Sequence, residues 1–145
     1  MILPLTVKDQ SVETSGITKD YRDAICEFIW NGFEANATEV RISYTESDLT
    51  SIESITISDN GDGITYDDIS ETFGTFLASK KNTLSLRLKS KANKGKGRFS
   101  FASFAHSAIW ETVYKDIDAY KSFTITLKND NKELAYYSDP VKSNK

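Results

Sequence analysis

The chain has 145 residues, 39% of them hydrophobic and 27% charged, which is typical of one globular domain and excludes a disordered chain. No apolar run approaches the roughly 20 residues of a membrane-spanning helix, and residues 1–10 lack the pattern of a signal peptide, so we expect a cytoplasmic protein without membrane contacts. The only cysteine and the only histidine, Cys26 and His106, exclude an internal disulfide and zinc sites built from such residues.

The formal net charge is −3, but the basic residues are unevenly spread. Eight of them fall within residues 80–98, where no acidic residue occurs. A positive segment on an acidic chain indicates an anionic ligand bound at one place. On charge alone, a solvated basic loop explains the segment equally well.

The first clear element is a helix that starts near Thr18 and runs to about residue 37. Thr18 is a suitable N-cap, and Asp20 and Asp23 in the first turn suit the helix dipole. Apolar residues recur on one side of this helix, which should face a sheet, and the opposite side is polar.

The later elements read as strands with two short helices between them. Alternating apolar residues predict strands around residues 40–44 and 55–59. Short helices are expected at residues 66–73 and 97–107, and further strands at residues 109–115, 122–128 and 133–138. This order predicts an α+β fold: a two-layer α/β sandwich with a mixed, mostly antiparallel sheet and its helices on one face.

Three polar residues of the first helix have the spacing of a shared site. Glu27, Asn31 and Glu34 lie within about 60° of one another around the helix axis. The Asn amide oxygen suits Mg²⁺, and a Glu one turn away can accept a proton from a water molecule. The same spacing also fits the solvated face of an amphipathic helix.

The sequence Asp59-Asn-Gly61-Asp-Gly63-Ile64 follows a predicted strand. Its two glycines permit positive φ and close approach of a ligand to the backbone. An aspartate at the strand end can accept a hydrogen bond from an exocyclic amine such as that of adenine. A tight turn with no ligand would use the same residues.

The third element is Gly95-Lys96-Gly97-Arg98-Phe99, at the start of a predicted helix. Glycines before a helix N-terminus present backbone N–H groups to phosphates, and Lys96 and Arg98 add positive charge. The spacing matches neither a Walker A loop nor a dinucleotide-binding GxGxxG motif. A flexible basic hinge is the alternative interpretation.

Taken together and in this order, the three elements resemble the nucleotide-binding boxes of the GHKL (Bergerat-fold) ATPase superfamily. This superfamily includes DNA gyrase B, large heat-shock chaperones, histidine kinases, MutL mismatch-repair ATPases and MORC-like ATPases. The resemblance covers about residues 18–128. Glu27 favours the chaperone, MORC-like and MutL-type branches, because histidine kinases generally carry Asn at that position.

The resemblance implies Mg²⁺-dependent ATP binding and hydrolysis, with Glu27 as general base and Asn31 as the Mg²⁺ ligand. Glu34 and Ala35 complete the helix box, and Asp59 would hold the adenine amino group. Residues 79–98 would form the ATP lid and phosphate-binding loop. Further nucleotide contacts are expected from Gly61, Gly63, Ile64, Thr75, Lys80, Gly95, Lys96, Gly97, Arg98 and Phe99.

The sequence departs from the family pattern in three ways. Glu34 stands where the family usually has Asp, the glycine–threonine strand after the phosphate box is missing, and no following domain supplies a lysine to the γ-phosphate. We therefore expect residues 1–145 to be a single ATP-binding domain of a larger protein, lacking its last strand or strands. Alone it should hydrolyse ATP slowly and stay monomeric, whereas the full-length protein would form an ATP-dependent homodimer.

Two other functions remain open on the sequence. The domain could be a non-catalytic nucleotide sensor whose ordered lid recruits a partner. It could also bind DNA through the basic segment at residues 80–98, with affinity that falls steeply as salt rises.

Overall fold

The computed structural model describes residues 1–5, 20–74 and 97–144. These residues form an α+β domain with two α-helices, one 3₁₀ helix and strands that pair in antiparallel fashion. In chain order the elements are β1 (Ile2–Pro4), α1 (Tyr21–Glu34), β2 (Val40–Glu46), β3 (Ile52–Asp59), α2 (Ile69–Gly74), the 3₁₀ helix (Gly97–Ser103), β4 (Ser107–Asp116), β5 (Ala119–Lys128), β6 (Asn131–Tyr137) and β7 (Val141–Ser143).

Helix α1 begins after Asp20 and not after Thr18, so the predicted N-cap is wrong. Asp20 has extended backbone geometry, and its carboxylate accepts a 2.9 Å hydrogen bond from the Arg22 backbone N–H. Aspartate is a stronger N-cap than threonine, which accounts for the later start. The helix ends at Glu34, and the N–H of Ala35 donates to carbonyls of the last turn.

The larger sheet has five strands in the order β1-β6-β5-β4, and β7 also pairs with β5. β4 and β5 pair along their full lengths, from Ser107 opposite Lys128 to Asp116 opposite Ala119. Only residues 117 and 118 lie between these strands, so the connection predicted over residues 115–121 is tighter than expected. The helix predicted over residues 97–107 is a 3₁₀ helix that ends at Ser103.

β7 was not predicted from the sequence. It continues along the edge of β5 that β6 occupies, with Tyr137 opposite Ile125 and then Val141 opposite Ser122. The register therefore slips by one residue between β6 and β7. Pro140 lies between β6 and β7, where the pairing with β5 is interrupted, so its missing N–H removes no hydrogen bond between the strands.

Among the described residues, β2 and β3 form a two-stranded sheet of their own, in contrast to the single sheet that we predicted. Ile42 lies opposite Ile57 and Tyr44 opposite Ile55, so the apolar residues of this hairpin share one face. Helix α1 contacts both strands of the hairpin and also the 3₁₀ helix. It therefore lies between the end of β3 and the start of the 3₁₀ helix.

The hydrophobic core lies between the inner face of the larger sheet and the short helices. Its buried side chains come from the segment after β1, from α2, from the 3₁₀ helix and from strands β4 to β6: Leu5, Ile69, Phe73, Phe99, Phe101, Tyr114, Phe123, Ile125, Leu127 and Ala135. Among the described helices, none is long and apolar enough to cross a membrane.

Candidate functional site

The polar face of α1 meets the first residue of the 3₁₀ helix. A side-chain carbon placed on Gly97 would lie 3.2 Å from Glu27 Oε2 and 3.8 Å from Asn31 Nδ2. The backbone of Gly97 thus lies directly against both side chains, and a side chain at this position would require Glu27 to shift slightly. Glu27 and Asn31 are themselves exposed to solvent, as groups that receive a ligand must be.

The other end of the same helix meets the turn that follows β3. The Asp62 N–H donates to the Ala35 carbonyl at 2.8 Å, and the Gly61 N–H donates to Asp59 Oδ1 at 2.8 Å. A side-chain carbon on Gly61 would lie 2.5 Å from the Ala35 carbonyl oxygen. Gly61 is therefore required for clearance against α1, whereas the positive φ, 74°, belongs to Gly63.

Asp59 is held against α1 by a second glycine. A side-chain carbon on Gly32 would lie 3.1 Å from Asp59 Cβ and 3.1 Å from Val40 Cγ2. Gly32 is buried on the side of α1 that faces the hairpin. Its small size lets β3 approach the helix closely and brings the Asp59 carboxylate to the helix surface.

Asn60 anchors this turn to the connection between α1 and β2. Its side-chain oxygen accepts hydrogen bonds from the backbone N–H groups of Thr38 at 2.9 Å and Glu39 at 3.0 Å, and its amide donates to Thr38 Oγ1. Asn36 donates to Asp62 Oδ2 at 2.6 Å. Asn60 and Asp62 stand at the x positions of the Asp-x-Gly-x-Gly motif, so the motif did not predict these hydrogen bonds.

Glu34 lies on the same face of α1 as Glu27. Its Oε1 accepts a 3.2 Å hydrogen bond from the indole N–H of Trp30, one helical turn earlier. Trp30 is 64% exposed. The indole thus holds the Glu34 side chain, a contact that we did not predict from the sequence.

Arg98 bridges the 3₁₀ helix and α2. Its guanidinium donates to the Thr72 carbonyl and lies 4.9 Å from the centre of the Phe73 ring. Burial lowers the pKa of Arg98 to about 10, so the side chain keeps its charge at neutral pH. Phe99, expected beside the phosphates, is 2% exposed, and its ring belongs to the hydrophobic core.

One open cleft connects the two ends of the site. Its volume is about 1990 Å³, more than the roughly 300–1,000 Å³ of a small-molecule pocket, because it also extends between β3 and β4. Most of the predicted site residues that the structure describes line it: Glu27, Asn31, Glu34, Ala35, Asp59, Gly61, Gly63, Ile64, Gly97 and Arg98. Thr75, Lys80, Gly95, Lys96 and the lid proposed for residues 79–94 lie outside the described residues.

The structure thus places an exposed carboxylate and an exposed amide of one helix between the turn after β3 and the first residue of the 3₁₀ helix, all in one cleft. Comparison with protein families matches residues 19–144 to the histidine kinase-, DNA gyrase B-, and HSP90-like ATPase family. The chain belongs to this family, which confirms the resemblance to the superfamily. The comparisons with curated proteins and with solved structures returned no match.

Proposed function

We propose that this domain binds ATP with Mg²⁺ and hydrolyses it slowly. The observation that carries the proposal is the position of α1: its Glu27 and Asn31 side chains lie against Gly97, and the Ala35 carbonyl just after its last residue accepts a hydrogen bond from the turn after Asp59. Membership of an ATPase family supports the same function.

The phosphate end of the proposed site suits a hydrated Mg²⁺ ion. Asn31 offers a neutral oxygen, and the cleft around Gly97 leaves room for the phosphate oxygens and waters that Mg²⁺ usually retains. Bound Mg²⁺ would neutralise charge on the phosphates during transfer. Glu27, one turn from Asn31, would accept the proton of the attacking water as general base.

The base end of the proposed site would recognise adenine. The Asp59 carboxylate would accept a hydrogen bond from the exocyclic amine, while the close packing at Gly61 and Gly63 holds the turn in place. Ile64 would pack against the base. The half-buried position of Ile64 beside the core suits an apolar contact.

The remaining assignments follow from the family. Residues 79–98 would close over the phosphates as lid and phosphate-binding loop, with contacts from Thr75, Lys80, Gly95 and Lys96. Arg98 would act mainly by joining the 3₁₀ helix to α2, because its guanidinium already binds the Thr72 carbonyl. The complete fold would be a two-layer sandwich with the helices on one face.

The decisive experiment compares Glu27→Gln with the unaltered domain. Replacement of a general base should lower ATP turnover by about 10²–10⁴-fold and leave ATP affinity nearly unchanged, because the amide keeps the size of the side chain. Turnover is measured by phosphate release and affinity by calorimetry. Glu46→Gln, the same change at an exposed end of β2, serves as the matched control.

The outcomes separate the possible functions. Loss of turnover with retained binding supports an ATPase. ATP binding without turnover in the unaltered domain would favour the non-catalytic sensor. Failure to bind ATP at millimolar concentration, with or without Mg²⁺, would refute the proposal.

A further inference from the structure

Thr112 occupies the centre of β4, and its side chain faces the interior of the domain. It is 6% exposed, one of the few buried polar side chains that the structure describes. Its hydroxyl oxygen accepts a hydrogen bond of 2.7 Å from the backbone N–H of Ile64, 48 residues earlier in the chain. This hydrogen bond is partly buried, and its loss is costly because the Ile64 N–H would be left without this acceptor.

Gly63, the residue before Ile64, lies against the same part of β4. A side-chain carbon at Gly63 would lie 2.1 Å from the Val113 carbonyl oxygen and 3.0 Å from Thr112 Oγ1. With a φ of 74°, this position excludes a side chain on conformational grounds as well. The turn of residues 59–64, called the glycine turn below, therefore meets β4 backbone to backbone, and the Thr112 hydroxyl lies at the junction.

This junction joins two sheets that pair separately. β3 belongs to the hairpin with β2, whereas β4 belongs to the five-stranded sheet. A backbone ladder between β3 and β4 would fix their relative position, but the described residues of these strands form none. The hydrogen bond from Ile64 to Thr112 supplies such a constraint where the glycine turn ends.

We propose that Thr112 is a positioning residue for the base-binding end of the cleft. Its hydroxyl holds the Ile64 N–H and so fixes the turn from Asp59 to Ile64 against the wall formed by β4. The inference rests on the proposed function, because it assigns the adenine base to this end. Thr112 acts through the turn and needs no contact with the nucleotide.

The proposal predicts a change in base preference as well as a loss of affinity. The Asp59 carboxylate can accept a hydrogen bond from the amine of adenine but not from the carbonyl at the same ring position of guanine. Displacement of the turn should therefore weaken binding of ADP more than binding of GDP. A merely destabilised domain would lose affinity for both nucleotides by the same factor.

The test measures ADP and GDP binding by calorimetry for the unaltered domain, Thr112→Val and Thr112→Ser. Valine keeps the shape of threonine but removes the acceptor, so ADP affinity should fall about tenfold and the ratio of ADP to GDP affinity should fall with it. Serine keeps the hydroxyl and should stay within about threefold of the unaltered domain. Thr124→Val makes the same change on the exposed face of β5 and should alter neither affinity.

Thermal unfolding of each variant verifies that it is folded at the temperature of measurement. Thr112→Ala, which also lacks the hydroxyl, replaces the valine variant if that variant does not fold. An unchanged affinity ratio, or a serine variant that behaves like valine, would overturn this inference alone. An unaltered domain that binds neither nucleotide would overturn the proposed function and the inference together.

Discussion

Gly63 and Gly32 lie at opposite sides of the Asp59 turn and are required for different reasons. Gly63 has a positive φ and faces the Val113 carbonyl oxygen, which is part of the backbone and cannot move aside. Gly32 has helical geometry, and the nearest atoms to an added carbon are side-chain atoms of Asp59 and Val40 at 3.1 Å each. Alanine at these two positions should therefore have different consequences.

We expect Gly63→Ala to lower the free energy of unfolding by about 2–3 kcal/mol, since positive φ and the backbone contact both oppose a side chain. Gly32→Ala gains about 1 kcal/mol of helix propensity, which offsets its tight contacts. Its stability should stay within about 1 kcal/mol of the unaltered domain, while ADP affinity falls because Asp59 is displaced. Urea denaturation and calorimetry measure the two effects. If Gly63→Ala were as stable as the unaltered domain, the proposed need for glycine at that position would be wrong. If Gly32→Ala kept the ADP affinity of the unaltered domain, Gly32 would not be needed to position Asp59.

At the residue scale, the sequence identifies only those site residues that stand at the fixed spacings of a motif. Glu27, Asn31, Asp59 and the glycines stand at fixed spacings, and the structure brings these residues to one cleft. Thr112 has no such signal, because a threonine inside a strand is typical of any sheet. Its partner Ile64 is distant in the chain, so their contact depends on how β3 and β4 approach each other. That approach is a property of the tertiary structure.

At the scale of the element, α1 is the best predicted part of the fold. Its period of apolar residues predicts a helix and the polar face that carries Glu27 and Asn31. The start was wrong by a few residues, because Thr18 and Asp20 are both acceptable N-caps and only the structure shows which one is used. A local pattern locates a helix better than it locates the ends of that helix.

The Asp20 cap makes the stability of α1 depend on pH. Hydrogen bonds from the Arg22 side chain and backbone lower the pKa of Asp20 to about 2. A carboxylate with a lowered pKa in the folded state stabilises that state above its unfolded pKa of about 3.9. This contribution is lost as the pH falls from about 4 towards 2.

Asp20→Ala tests the cap. The variant should be less stable than the unaltered domain at pH 7, and the difference between them should shrink as the pH falls from 4 to 2. Urea denaturation over this range, followed by the helical circular dichroism signal, measures the difference. Asp48→Ala is the control, because Asp48 is an exposed aspartate in the turn between β2 and β3. A difference that stays constant down to pH 2 would show that the carboxylate of Asp20 is not the cause.

The strands were predicted less completely than the helix. Alternating apolar residues located β2 to β6, but β7 has only three residues and begins directly after Pro140. Alternation also says which face of a strand is buried and nothing about which strand lies beside it. For this reason the separate hairpin of β2 and β3 could not be predicted.

At the scale of the whole molecule, one aromatic cluster connects the elements that form the cleft. The Trp110 ring on β4 lies 6.2 Å from that of Phe28 on α1, 5.3 Å from that of Phe73 on α2 and 6.3 Å from that of Phe101 on the 3₁₀ helix. Such edge-to-face pairs contribute about 0.5–1.5 kcal/mol each. The walls of the cleft thus share the packing of the core, so a ligand that joins them should stabilise the whole domain.

This coupling predicts that ATP with Mg²⁺ raises the midpoint of thermal unfolding. The proposed contacts from residues that the structure describes come from residues 27–35, 59–64 and 97–98, which are close together only in the folded chain, so the nucleotide should bind the folded state selectively. At a nucleotide concentration of 100 times the dissociation constant, the gain is about 2.7 kcal/mol, or roughly 10 °C for a domain of this size. Removal of Mg²⁺ with EDTA should reduce the shift.

In Asn31→Ala, the shift should be small and nearly independent of Mg²⁺, because the amide oxygen proposed as a ligand is missing. If Asn31→Ala retains the full Mg²⁺-dependent shift, the metal is bound elsewhere in the protein or only by the phosphates.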